Sequence, residues 1–287
     1  MRNCFPLPAC GEREHSVLAV ALAFLLRIAS AMTHADTVHL YAAGSLKAAL
    51  TDLAKAYEAK SGHKVEGKFG PSGLLKSEIA AGAQADVFAS ANMEHPCALH
   101  GAGKSLAVTH FVRNKLCALV KPEMKATSDN LLAIMLDPDV KLATSTPKAD
   151  PSGDYAFEIF HKAEALKPGA QKTLGAKALK LTGAKDSAAP PEDKLAYGWH
   201  VAEGRADIFL TYCTNALAAQ KQNPGQQIIA LPDALAVSAE YGLTLMNGAG
   251  DAAKAFTDFI LSSEGQKILV GYGFSRSGWP GLCGPRC

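Results

Sequence analysis

The chain has 287 residues, with 29 Lys and Arg against 27 Asp and Glu for a formal net charge of +2 at pH 7. With 48 % apolar and 20 % charged residues, it has the balance of a soluble globular protein with a sizeable core. No run of five basic residues occurs, which excludes a nucleic-acid footprint and any reliance on a broad positive field.

Val17 to Leu26 (VLAVALAFLL) is an apolar run of ten residues, shorter than the roughly 20 a membrane-spanning helix needs. Small residues follow, and Thr33-His34-Ala35 before Asp36 fits a cleavage site, so residues 1–35 are expected to be a signal peptide for export to the periplasm. Val38–Ala42 alternates and reads as a strand. Leu46, Leu50, Leu53, Ala54 and Tyr57 recur at helical spacing until Ser61-Gly62. Lys64–Phe69 reads as a second strand, Gly70-Pro71-Ser72-Gly73 as a tight turn, Leu74 to about Ala81 as a helix, and Asp86–Ser90 as a buried strand. This β-α-β-α-β order predicts a parallel sheet with right-handed crossovers.

A second unit is expected from Lys115, with strands at 116–120 and 141–144 and a helix at 129–136 between them. Asp150-Pro151-Ser152-Gly153 is a second polar turn before a helix from Tyr155 to Leu166. The Ala-, Lys- and Gly-rich stretch 168–191 shows weak periodicity. A helix then runs to Glu203, followed by strands at 208–212, 227–230 and 242–246 and an amphipathic helix at 252–261. The expected organisation is an α/β protein of two lobes, each a mixed, mostly parallel sheet flanked by helices. Residues 36–114 begin lobe 1, 115–231 build lobe 2, and 232–287 return to lobe 1 and end in an irregular tail. Hinges are expected near Asn114 and Leu231-Pro232, and the cleft between lobes is the natural ligand site.

Five of the seven Cys follow residue 35: Cys97, Cys117, Cys213, Cys283 and Cys287. None has a C-x-x-C or zinc-like spacing, so they read as scattered small apolar residues, with a local Cys283–Cys287 bridge open in the tail. His95, His100, Lys47 and Arg205 read as surface residues, and Tyr155 and Tyr197 as packing residues. No metal cation site and no cofactor is expected.

The chemistry concentrates in two Ser-bearing turns, Gly44-Ser45 and Pro71-Ser72-Gly73. A serine at a helix start caps it, which contributes about 1 kcal/mol. The same place also combines a hydroxyl, unpaired amides and the positive end of the helix dipole, a combination that binds anions without formal charge. Gly44 and Gly73 would let backbone approach the ligand closely. An esterase reading of Ser72 fails on the motif, because Gly-Pro-Ser-Gly lacks the second spaced glycine of a nucleophile elbow. No enzymatic activity is expected.

Three blocks in matching order and spacing, Tyr41–Leu50, Phe69–Leu75 and Ala85–Ala91, resemble periplasmic molybdate-binding proteins. The likeness continues through Asp150–Ala156, Ala206–Tyr212 and Tyr272-Gly273-Phe274. It implies a type II periplasmic binding fold that holds a tetrahedral oxyanion, molybdate or tungstate, by neutral donors. It assigns the hydroxyls of Ser45 and Ser72, the amides of Ser152 and Lys194, and the Tyr212 hydroxyl. It also implies a monomer that delivers its anion to an inner-membrane ABC permease. Sulfate, another oxyanion or a small organic acid, or delivery to a sensor, stay open as alternatives. A pocket made only of donors disfavours phosphate, whose remaining proton would be left unpaired at about 1–3 kcal/mol.

Overall fold

The computed structural model describes Met1 and residues 35–276. The apolar run at 17–26 and the Cys283/Cys287 tail lie outside the described residues. From Asp36 onward the chain clusters as one unit.

Strand β1 (Thr37–Ala43) leads through a short 3-10 turn, Gly44–Leu46, into helix α1 (Lys47–Ser61). The spacing of Ala49, Leu50, Leu53, Ala54 and Tyr57 puts all five on the buried face of α1, and each fully buried leucine contributes about 1.5–3 kcal/mol. Gly62, at φ 74°, stops the helix in the left-handed conformation that glycine adopts without strain. Strand β2 (Lys64–Gly70) and helix α2 (Ser72–Ala80) follow, then β3 (Val87–Ser90), whose four residues are all buried. Helix α3 (Glu94–Gly101) precedes a 12-residue strand β4 (Thr109–Val120).

Next come α4 (Leu131–Leu136), β5 (Leu142–Ser145), α5 (Pro151–Leu166), α6 (Ala170–Lys177) and β6 (Leu179–Thr182). Helix α7 (Ala196–Ala202), strand β7 (Ile208–Tyr212), helix α8 (Cys213–Gln222) and strand β8 (Gln227–Ala230) complete that region. Strand β9 (Ser238–Leu245), helices α9 (Asp251–Leu261) and α10 (Ser263–Gly271), and the short β10 (Ser275–Arg276) end the described chain. On α9 the spacing of Ala252, Ala253, Phe256 and Ile260 makes one buried face.

The strands form one mixed sheet in the order β2-β1-β3-β9-β4-β7-β5-β6. Its flanks are parallel, as β1 pairs with β2 and β3, and β5 with β6 and β7. The centre is antiparallel, because β9 returns between β3 and β4. Strand β4 changes partners along its length. Thr109 to Lys115 lie against β9, and Leu116 to Val120 against β7 and β8.

Several elements differ from the sequence expectation. The stretch 168–191 contains α6 and β6, whose weak periodicity has a physical cause: α6 buries only Ala170 and Leu174. Ser275 and Arg276 pair with Arg113 and Val112 of β4 rather than beginning an irregular tail. His95 is buried on α3 and not at the surface, and desolvation lowers its pKa. Cys117 and Cys213 form a disulfide with Cα atoms 4.9 Å apart. Their sequence separation of 96 hid a closeness that the β4–β7 register, with Cys117 opposite Thr211, makes plain.

Candidate functional site

The carboxyl ends of the parallel strands on both flanks converge on one cavity of about 160 Å³. That is below the roughly 300–1,000 Å³ of pockets for drug-sized ligands. From the first flank it is lined by Ala43, Gly44, Ser45, Gly70, Pro71 and Ser72, with Ala91 beyond β3. From the second flank come Asp150, Thr182, Gly183, Ala196, Tyr197 and Tyr212. No Lys or Arg is among these lining residues.

Ser45 sits in the 3-10 turn that opens α1, and Ser72 is the first residue of α2. Neither helix has an acidic residue in its first turn, so the positive end of each dipole is uncompensated by the chain itself. Both hydroxyls are hydrogen-bonded to the protein, Ser72 as an acceptor and Ser45 in a pair with Tyr241 in which either hydroxyl can donate. The Ala91 amide donates to Ser72 Oγ at 3.1 Å, which leaves the Ser72 hydrogen for the cavity. Ser45 Oγ lies 2.9 Å from the Tyr241 hydroxyl, which accepts from Asn114 Nδ2 at 3.2 Å. With one hydrogen received from Asn114, Tyr241 can give its own to Ser45, and in that order the Ser45 hydrogen also points to the cavity. Asn114 Nδ2 donates to Thr214 Oγ1 as well, at 2.8 Å, which fixes the relay from β4 to the start of α8.

On the facing side Tyr212 ends β7 and is 2 % exposed. Burial raises its pKa well above the usual value, so it stays an O–H donor. Its hydroxyl reaches the Ala91 carbonyl at 3.5 Å, at the outer limit of a hydrogen bond. Tyr197, half-buried on α7, is also held protonated by burial.

Three of the five residues that the resemblance assigns, Ser45, Ser72 and Tyr212, come together at this cavity. The other two do not line it. Ser152 is fully buried at the start of α5, and its amide donates to Asp150 Oδ1 at 3.0 Å. Its hydroxyl oxygen makes no hydrogen bond among the described residues. The Lys194 amide donates to the Pro191 carbonyl at 3.0 Å, and its ammonium lies 3.8 Å from Asp193 at the surface. Tyr197 and Ala196, a little further along, take the place on the lining.

The residue that sequence reasoning missed is Asp150. It caps α5 with Pro151 behind it, is 9 % exposed, and carries the only carboxylate among the described lining residues. Burial, opposed by the Ser152 amide and the Ser145 hydroxyl, pushes its carboxyl up to about 6, with Asp154 adding to the rise. Gly183, at φ 87°, makes room for it, since a Cβ there would stand 2.6 Å from Asp150 Cβ. An aspartate beside Pro and Ser at a helix start was a legible N-cap signal, but nothing in the spacing said that it faces the ligand.

Gly73 has a different role from the one expected. A Cβ on it would stand 2.2 Å from the Lys148 carbonyl oxygen of the other flank, and its amide donates to the Ala149 carbonyl at 3.0 Å. Its bareness serves the contact between the two halves. A Cβ on Gly44 would meet nothing within 4 Å. A larger cleft of about 510 Å³ adjoins the cavity, sharing Gly44, Ser45, Ala196 and Tyr197 with it.

The sequence matches the family described as bacterial extracellular solute-binding protein over residues 38–275. The chain belongs to that family. A Pasteurella multocida relative, protein PM1146, is 32 % identical over 238 residues, covering 83 % of this chain and 98 % of its own. The molybdate-binding protein ModA of Escherichia coli is 26 % identical over 254 residues, 86 % of this chain and 91 % of the relative. Among solved structures, the periplasmic molybdate-binding protein of Azotobacter vinelandii superposes with a TM-score of 0.65 at 19 % identity, covering 84 % of this chain and 99 % of that one. This solute-binding protein therefore has the ModA-like, two-lobed type II fold, and it is not an enzyme. Among the described residues no helix is long and apolar enough to cross a membrane.

Proposed function

We propose that this solute-binding protein captures a tetrahedral oxyanion, molybdate or tungstate, in the cavity between its lobes and delivers it to an ABC permease of the inner membrane. The observation that carries this reading is the pair of Ser45 and Ser72 hydroxyls at the cavity, Ser72 accepting from the Ala91 amide and Ser45 paired with the Tyr241 hydroxyl, each at the start of a helix with no acidic first turn. Each hydroxyl has a hydrogen that it can turn toward a ligand, and a fully deprotonated oxyanion can only receive hydrogen bonds. Tyr212 adds a third donor from the opposite lobe, so the ion bridges the lobes and its binding favours the closed form. Export is supported by the Cys117–Cys213 bridge, since disulfides persist in oxidising compartments. Residues 1–35 serve as the export signal in this reading, and the protein acts as a monomer.

The adjoining 510 Å³ cleft favours a second ligand, an oxyanion bearing an organic group that would lie against Leu195, Ala218 and Phe274. Calorimetric titration of residues 36–287 with molybdate, tungstate, sulfate and phosphate tests the first reading. Heat with molybdate and tungstate at well under millimolar concentration is expected, and silence with both would move the assignment to another solute.

A further inference from the structure

A donor-only site needs no carboxylate, yet Asp150 lines this one. Its side chain cannot swing freely, because one oxygen holds the Ser152 amide and Gly183 closes against its Cβ. Groups that face it come from every neighbouring element. They are the Ser145 hydroxyl of β5, the Ser152 amide and Asp154 carboxylate of α5, and the Tyr197 and Tyr212 hydroxyls of α7 and β7. Of these only Asp154 is charged, and its charge is negative, so among the described residues that face it no cation offsets an ionised Asp150 beside a bound dianion. Two unit charges 4 Å apart interact by about 4 kcal/mol at an effective dielectric of 20, and here the second charge is doubled.

Resting on the oxyanion reading, we propose that Asp150 binds the anion as a neutral carboxyl, its O–H donated to one oxyanion oxygen, so that loading takes up a proton together with the ion. The step balances without any other reactant. The carboxylate gains one proton from solvent, no covalent bond to the oxyanion forms, and the site changes by the dianion plus one positive charge. Burial has already brought this carboxyl up to about 6, and an adjacent dianion raises it further. Asp150 thereby supplies a donor where the resemblance assigns the Ser152 amide, which Asp150 itself occupies. The same proton admits hydrogen phosphate, which can bring its own to an ionised Asp150, so discrimination against phosphate is weaker here than in a pocket of donors alone.

The test is calorimetric titration of the wild type with molybdate and, in parallel, sulfate at pH 8, in two buffers of different ionisation heat, with Kd followed from pH 6 to 8.5. Uptake close to one proton per ion is expected, with Kd weakening by about tenfold per pH unit above the carboxyl's own titration. In Asp150→Asn, which keeps a helix-capping side chain, both uptake and pH dependence should vanish. Binding by the wild type with no proton uptake and a flat Kd would overturn the role of Asp150 and leave the oxyanion reading standing. Heat from sulfate alone would remove molybdate, and the proton count on sulfate would then judge Asp150. Silence from both ions would end both proposals.

Discussion

The two walls of the cavity are built on opposite electrostatic plans. On the Ser45/Ser72 wall, two helix starts carry no acid in their first turns, and each hydroxyl is held by the protein, Ser72 by the Ala91 amide and Ser45 by the Tyr241 hydroxyl. On the facing wall, the start of α5 is filled by the chain's own carboxylate, with Asp154 in the first turn behind it. In the proposed reading the first wall hosts negative charge at any pH, whereas the second does so only when Asp150 is neutral. The comparison teaches that a helix start is an anion site only where the sequence leaves it uncapped by acid.

The most severe way to break the first wall is Ser45→Ala with Ser72→Ala. Removing two preset donors at about 1–3 kcal/mol each should weaken molybdate binding by a hundredfold or more in calorimetry. The melting temperature of the ligand-free variant should fall by no more than a few degrees, for the lost Ser45–Tyr241 and Ala91–Ser72 bonds. Unchanged affinity in this variant would show that the first wall is not the site.

Gly73→Ala attacks the junction of the walls. The added methyl meets backbone at 2.2 Å, and overpacking of this kind costs about 1–3 kcal/mol. We expect roughly ten- to hundredfold weaker binding with an unaltered circular dichroism spectrum, and wild-type affinity would show that the lobes need not meet there.

Asp150→Asn sharpens the contrast without any ligand. Its folded carboxyl titrates near 6, above the ordinary 3.8, so the aspartate's favourable contribution is full below about pH 4 and is lost as pH rises through 6. The asparagine variant should therefore melt several degrees higher than the wild type at pH 8. The two should converge toward pH 4.5, and equal melting at pH 8 would show that Asp150 ionises there without penalty.

Smallest of all, Lys194→Ala should change molybdate affinity by less than about twofold, because the ammonium pairs with Asp193 in solvent. A tenfold loss would bring this residue back to the anion.

Much of this was legible in the sequence, and the reasons differ by wall. Ser45 and Ser72 stand where a strand runs straight into a helix, so local pattern alone placed them and the resemblance paired them. Tyr212 came from the resemblance, which lands on the tyrosine that ends a compact β-run. Asp150, Tyr197 and Gly183 were hidden because their role depends on how α5, β6 and α7 stack at the cavity, and α6 and β6 have too little buried surface to leave a clear period. Tyr241 and Asn114 lie 127 residues apart, and no local signal announces a relay that forms only when β9 returns beside β4.

The Cys117–Cys213 bridge has a consequence for assembly. Between its two sulfurs lie β5, α5, β6, α7 and β7, the elements that carry Asp150, Thr182, Gly183, Tyr197 and Tyr212. Oxidation turns that stretch into a macrocycle, and for a ring of this size the chain-entropy estimate is about 4–5 kcal/mol of denatured-state freedom removed. One wall of the cavity is thus tied into a covalent loop, while strands β1 to β3, which carry the other wall, lie outside it.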